Sequence, residues 1–327
     1  MLHPRLAVVT AALLLLSAAL GAYAMTVGSL DIPIRDVLPA LLGDPSWEGR
    51  VVRDLRLPRV LTALFAGAAL GVSGAIFQSV SRNALGSPDV IGFTTGAATG
   101  AISQIVLFGG GPVQVAAGAV LGGAGTALIV YLLSVKAGVT GGYRLVLVGI
   151  GVGEVLAALN NLMLVKGDLD SAITANIWQA GSLDARQWEH AVPVLAGVLV
   201  ITPLVGLLAR RAALIEMGDE LAAQLGVRVE RTRILLMAAG VALASLAAAA
   251  AGPISFVALA APQLVVRMTR SRSMPVLSAA AMGAFLLVLG DVASQLLPLT
   301  ASVPIGRMTG IVGGVYLIWL LTRSRQV

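Results

Sequence analysis

No cysteine occurs anywhere in the chain, which removes disulfides, thiolate chemistry and iron–sulfur ligation from consideration. The only imidazoles are His3 and His190, far apart in sequence, and they do not read as a histidine-built metal centre. Charge is also scarce: 12% of residues are Asp, Glu, Lys or Arg, against about 25% in an ordinary soluble domain. The only lysines, Lys136 and Lys166, both follow valine, so the Gly-Lys pair of a phosphate-cradling loop is missing. Any ATP hydrolysis tied to this protein must then take place on another subunit. An intramembrane enzyme is disfavoured in the same way, because the apolar stretches hold no clustered histidines and no paired carboxylates.

What is abundant is apolar sequence. Hydrophobic residues make up 57% of the 327, and the mean hydropathy is +0.93. A span needs about 20 mostly apolar residues, and about ten such windows are present. They lie near 6–27, 60–80, 90–108, 113–134, 144–165, 191–210, 233–250, 256–270, 275–297 and 308–322. Inside lipid every backbone polar group must be bonded internally, so these windows are expected to be helices. The fold class is therefore all-α, a polytopic membrane protein with one transmembrane domain over 1–327. Ala22-Tyr23-Ala24 resembles a cleavage site, but the preceding apolar run is long and Arg5 is the only firm positive charge before it, so it reads as a retained first span.

The formal charge of +6 is scattered between spans and reads as topology rather than as a nucleic-acid surface. With ten spans both termini share a side. Fourteen of the 22 Lys and Arg residues, including Arg272 and Arg325, fall on that side and eight on the other. This predicts cytoplasmic termini. The segment over 28–59, mixed in sign, is then an extracytoplasmic loop.

Small residues recur at four-residue spacing: Gly67 and Gly71, then Gly92, Gly96 and Gly100, then Gly118 and Gly122. That pattern lets helix backbones approach closely in lipid. Gly149, Gly151 and Gly153 lie within an apolar span and lack the strand and turn of a dinucleotide fingerprint. Arg59-Val60-Leu61 recurs as Arg233-Ile234-Leu235, and Pro88 as Pro262, both at an offset of 174, as an inverted repeat would give.

Between the sixth and seventh windows, within a loop over 211–231, Gly218, Asp219, Glu220, Leu221, Ala222, Leu225 and Gly226 spell a short amphipathic helix. Asp219 is expected to cap its start, Leu221, Ala222 and Leu225 to share a face, and Gly226 to close it. Arg56 and Arg59 flank Leu57-Pro58 just before the second window, with proline suited to a first helical turn. Anchoring to lipid headgroups is one reading of these arginines. Glu154 is the one ionisable residue midway along a span, followed by Asn160 and Asn161, and it is read as a structural partner, as lining an aqueous passage, or as a proton-coupling group. Asp291 reads as a hydrogen-bonding group.

The run Arg82-Asn83-Ala84-Leu85-Gly86-Ser87-Pro88-Asp89, followed by Gly92-Phe93, resembles the signature of the FecCD/BtuC-like permeases of bacterial ATP-driven importers, and especially the ferric enterobactin-type subunits. Trp178 to Leu183, Gly252 to Phe256 and Pro304-Ile305-Gly306 extend the resemblance over essentially the whole chain. Two departures are Ala84 for a usual proline and Gln263 for a frequent histidine. The resemblance implies a BtuC-like bundle forming half of a dimeric pathway in the bacterial inner membrane, paired with a second permease as a heterodimer or a homodimer. It implies two cytoplasmic ATPases carrying ATP and magnesium, docked on 218–226, with no cofactor on this chain. It also implies that Arg56 and Arg59 receive acidic residues of an extracytoplasmic binding protein, and that the loop from Val139 to Arg144, with Gly141, Gly142 and Tyr143, contributes an inner gate. The expected cargo is a ferric siderophore. Cobalamin or haem import, and an ion-coupled secondary transporter built on Glu154, are the alternatives.

Overall fold

In the computed structural model the described residues are 4–28, 30–89, 91–136, 139–140, 142–271, 274–297 and 303–323. His3, Gly141, Arg272 and Arg325 lie outside them. The helices in order are α1 (Pro4–Ala24), α2 (Ile34–Leu41), α3 (Trp47–Val51), α4 (Leu57–Ser81), α5 (Phe93–Ile102), α6 (Pro112–Ser134) and α7 (Gly142–Lys166). There follow α8 (Leu169–Gln179), α9 (Trp188–Glu216), α10 (Asp219–Gln224), α11 (Val229–Ala251), α12 (Val257–Thr269), α13 (Val276–Leu296) and α14 (Ile305–Arg323). A two-residue antiparallel ladder, Val135–Lys136 with Val139–Thr140, joins α6 to α7.

Each of the ten apolar windows coincides with a helix. Among the described residues seven helices are long and apolar enough to cross a membrane, while 93–107 and 257–269 are shorter apolar helices. The segment over 28–59 is more ordered than a loop. Asp44 accepts from both the amide and the hydroxyl of Ser46, which holds its carboxyl below the usual range, and Ser46 in turn caps α3. From α3 the chain continues through a π-helical turn over Val52–Arg56 straight into α4, with Pro58 in the first turn where its missing N–H is harmless. The short helix α8, capped by Asp168, was not expected, because 11 residues are too few to register in a search for spans.

The centre of the bundle is α4. In its most apolar window 83% of the residues are buried, against 22% for α7 and 28% for α9. It is enclosed by α9, α11, α12 and α13, and its small residues allow this. A β-carbon added at Gly67 or Gly71 would lie 2.3 Å or 2.1 Å from the carbonyl oxygens of Gly283 and Ala279 in α13. At Gly74 one would collide with the Ala258 carbonyl of α12. Ser73 donates from its hydroxyl to the Gly240 carbonyl of α11 at 2.8 Å. A second seam joins α5 to α6, where Gly96 and Gly100 face Gly122 and Gly118. The spacings read from the sequence are thus the contacts of two helix pairs. Gly149 and Gly153 of α7 meet the backbone at Ile91 and Gly92.

One correspondence does not hold. Arg59 and Arg233 both stand near the start of a long helix, but Pro88 lies in the turn before α5 whereas Pro262 lies inside α12, so the prolines share no setting.

Candidate functional site

Two polar clusters cap opposite ends of α4, about 35 Å apart by helix rise. At the end where the chain passes from α9 to α11, the helix α10 rests against the bundle. Gly218, with φ 127°, precedes it, and Gly226, with φ 82°, follows it. The end is a Schellman closure: Gly226 N–H donates to the Ala223 carbonyl and Val227 N–H to that of Ala222, both at 3.0 Å. Gly226 therefore closes the helix as expected.

Asp219 does not cap it. Gly218 holds the cap position and Asp219 is the first helical residue, with its carboxylate engaged elsewhere. Both of its oxygens accept from Arg233 Nη2 at 3.0 Å, and Arg82 Nη2 lies 3.6 Å from Oδ1. The guanidinium of Arg233, 2% exposed, also donates from Nη1 to Glu230 at 3.0 Å, and Tyr131 of α6 donates to the other Glu230 oxygen at 2.9 Å. The apolar residues of α10 do not share one face either. Ala222 is fully buried beneath the helix, while Leu221 and Leu225 stand exposed one turn apart, with Met217 exposed beside them and Glu220 on the outer surface. The smallest side chain sits where helix and bundle are closest, which leaves the leucines outside.

The turn over 82–92 leads from α4 towards α5. Arg82 takes a left-handed conformation, Asn83 accepts from the Leu85 amide at 2.9 Å, and Gly86 N–H returns to the Asn83 carbonyl. A β-carbon at Gly86 would lie 2.3 Å from Ser81 Oγ, which accounts for glycine there. Asp89 accepts from the Thr94 hydroxyl and from the Phe256 amide, tying this turn to α5 and to the start of α12. Gln263 donates to Gln78 at 2.8 Å, and Gln78 donates to the Leu259 carbonyl.

At the other end, Arg59 is held between two carboxylates. Its Nη2 donates to Asp291 at 2.8 Å and its Nη1 to Asp184 at 2.7 Å. Asp291 is 1% exposed and also accepts from Gln295 at 2.9 Å, whereas Asp184 is 46% exposed. These groups line a cleft of about 240 Å³. Arg56 folds back on the turn after α1, donating to the Met25 carbonyl at 2.6 Å and to that of Leu30. Three landmark segments meet beside this cluster: Ser182 N–H donates to the Ala251 carbonyl, Gly306 N–H to that of Gly181, and Gly181 abuts Pro253.

On α7, Tyr143, Glu154 and Asn161 are exposed, and Glu154 and Asn161 are seven residues apart on one helix face. Gly142 begins the helix. Asn160 points the other way, buried against α5, with its amide donating to the Thr95 carbonyl at 3.4 Å and its Oδ1 without a partner among the described residues. The sequence reading missed Arg233, Glu230, Tyr131 and Asp184 as site residues. A usable signal was there for one pair only, the three-residue spacing of Glu230 and Arg233 on a helix.

Among the described residues no group of three or more His, Asp or Glu side chains is placed to hold a metal ion. A bundle of apolar helices, with polar clusters at both ends of its central helix, is a multi-pass membrane protein. The FecCD transport family matches residues 13–323, and the chain belongs to that family. It is 44% identical to the ferric enterobactin transport system permease protein FepG of Escherichia coli (strain K12) over 317 residues, covering 96% of both chains. It is 32% identical to the hemin transport system permease protein HmuU of Yersinia pestis, covering 99% of this chain and 97% of that one. A solved metal-chelate type ABC transporter in an inward-facing conformation superposes with a TM-score of 0.84 at 26% identity, covering 96% of this chain and 98% of the other. The chain is accordingly a permease subunit rather than an enzyme.

Proposed function

We propose that this protein carries a ferric siderophore of the catecholate type across the bacterial inner membrane as one permease of an ATP-driven importer. The observation that carries this reading is the 44% identity to a ferric enterobactin permease over nearly the full length of both chains. In this reading both termini are cytoplasmic, as the distribution of arginines predicts. A second, similar permease completes the pathway, along the exposed face of α7 that holds Tyr143, Glu154 and Asn161, with Gly142 at its mouth. Asn160 serves to hold α7 against α5.

The exposed Leu221 and Leu225, with Gly218, Asp219, Glu220, Ala222 and Gly226 shaping the helix beneath them, receive a cytoplasmic ATPase, and a second ATPase docks on the partner permease. Two leucines left open on a surface rimmed by charge suit a protein partner. At the opposite end Arg56 and Arg59 receive carboxylates of a binding protein, a role that suits the planar fork of guanidinium. Selection of cargo can then rest with the binding protein, and the spans need no dense polar pocket.

The test is iron uptake in cells lacking their own siderophore permeases and supplied with this chain and its co-encoded subunits. Uptake of a radiolabelled ferric tris-catecholate is the expected outcome. Uptake of haem or cobalamin in its place would overturn the assignment of cargo, and uptake in the absence of any ATPase would overturn the importer itself.

A further inference from the structure

We propose that Arg233 is the joint through which α10 moves the transmembrane bundle, a positioning residue that makes α10 and α11 travel as one body. The inference rests on the reading of α10 as the ATPase docking helix. It starts from how weakly the backbone holds that helix. Six residues are too few for a helix to persist unaided, and each end runs into a glycine of positive φ with open space around it, Gly218 and Gly226. At Gly226 the Schellman bonds fix the turn, but neither glycine carries a side chain that packs on the bundle, so the connections themselves transmit little. A push on Leu221 and Leu225 delivered through the backbone alone would be taken up at those two points.

The side-chain path is different. Arg233 grips both oxygens of Asp219 at 3.0 Å, and its second terminal nitrogen grips Glu230, one turn earlier on its own helix. The fork is 2% exposed while Asp219 is 30% exposed, so the guanidinium has no water to turn to if Asp219 lets go. Stripping a buried guanidinium of a carboxylate partner is disfavoured, so the pair resists opening when α10 is displaced. Arg82 at the end of α4 reaches the same Asp219, and Tyr131 of α6 holds the far oxygen of Glu230. One carboxylate on α10 thus addresses the ends of two spans, α4 and α11, and Glu230 links the second of these to a third, α6. From Arg233, α11 runs to Gly240, whose carbonyl accepts from Ser73 at the middle of α4. Motion of α10 reaches the central helix along this line. A lysine could not substitute, because an ammonium lacks the rigid fork that binds Asp219 and Glu230 together.

The test uses the assembled importer in proteoliposomes, with chelate delivered per ATP hydrolysed as the readout. Arg233→Gln is expected to lower that ratio about tenfold, within the ordinary range for coupling between two sites, and Arg233→Lys to restore little of it. An unchanged ratio in Arg233→Gln overturns the proposal. Because the chain has no cysteine, spin labels at Gln224→Cys and Leu235→Cys report the distance between α10 and α11 directly, even in variants that do not transport. That distance should stay fixed on ATP binding with Arg233 present and spread in Arg233→Gln; a distance that shifts with Arg233 in place overturns the joint. Co-purification of the ATPase with a Leu221→Asp, Leu225→Asp variant separates the two ideas. If retention is undiminished, docking on α10 fails and the transport role of the joint fails with it, while the spin-label distance still decides whether α10 and α11 are rigidly linked.

Discussion

Arg59 in the first turn of α4 and Asp291 late in α13 are joined across 232 positions of sequence, Nη2 to Oδ1 at 2.8 Å, with Asp291 almost fully buried. The same guanidinium reaches the half-exposed Asp184 on the loop before α9. Arg59 therefore has structural work to do whether or not a binding protein docks beside it, and its two carboxylates should not be worth the same.

Asp291→Ala leaves a half-buried guanidinium without its inner partner and should destabilise the protein by about 3 kcal/mol. Asp184→Asn removes a solvent-screened contact and should cost under about 1 kcal/mol. Thermal unfolding of the two variants in the same detergent compares them, and equal losses would contradict the difference in burial.

For docking of the binding protein, Arg56→Glu is the cleaner variant. Among the described residues Arg56 hydrogen-bonds to backbone carbonyls, at Met25 and Leu30, whereas Arg59→Glu would bring three carboxylates together. Arg56→Glu is expected to weaken binding of the loaded binding protein about tenfold, as loss of one charged anchor does, with a loss of stability no larger than that of Arg56→Gln, which drops the same two backbone contacts. Binding to permease in nanodiscs measures it, and undiminished affinity removes Arg56 from the interface.

At the α5–α6 seam, a β-carbon at Gly100 would lie 1.9 Å from the Gly118 carbonyl oxygen. Gly100→Ala should cost about 1–3 kcal/mol by forcing the helices apart. Gly125, on the same α6, has nothing within 4 Å of such an atom. Gly125→Ala should be neutral or stabilising by up to about 1 kcal/mol through helix propensity. The melting temperatures should move in opposite directions, or only the first should fall.

Glu154 is exposed on α7, and its role separates two classes of transporter. Glu154→Gln should leave ATP-dependent uptake comparable in rate and indifferent to a proton gradient. Complete loss of transport with ATP hydrolysis intact would favour ion coupling.

The ten spans were legible because hydropathy is summed over long windows, and the glycine seams because four-residue spacing names a helix face. The signature runs were legible as wording before their purpose was. Only the fold brings Trp178 to Leu183, Gly252 to Phe256 and Pro304 to Gly306 to one place, and only the fold shows that Asp89 serves the start of α12. Asp219 was misread for a physical reason. An aspartate before a short helix is locally a good cap, and the competing partner, Arg233, is 14 residues away across a turn. The face of α10 was misread similarly, since periodicity alone gives Leu221, Ala222 and Leu225 one side, while close approach to the bundle selects alanine for the inside.

The burial of α4 also bears on how the protein is made. The helices that enclose it, α9, α11, α12 and α13, are all encoded after it, the last of them about two hundred residues later. On leaving the ribosome α4 enters the bilayer with lipid where its neighbours will be, and its seam of Gly67, Gly71 and Gly74 stays open until α12 and α13 arrive. A chain truncated before α13 would thus insert its early spans yet lack a finished centre, and membrane quality-control proteases would meet the glycine face that the complete protein conceals.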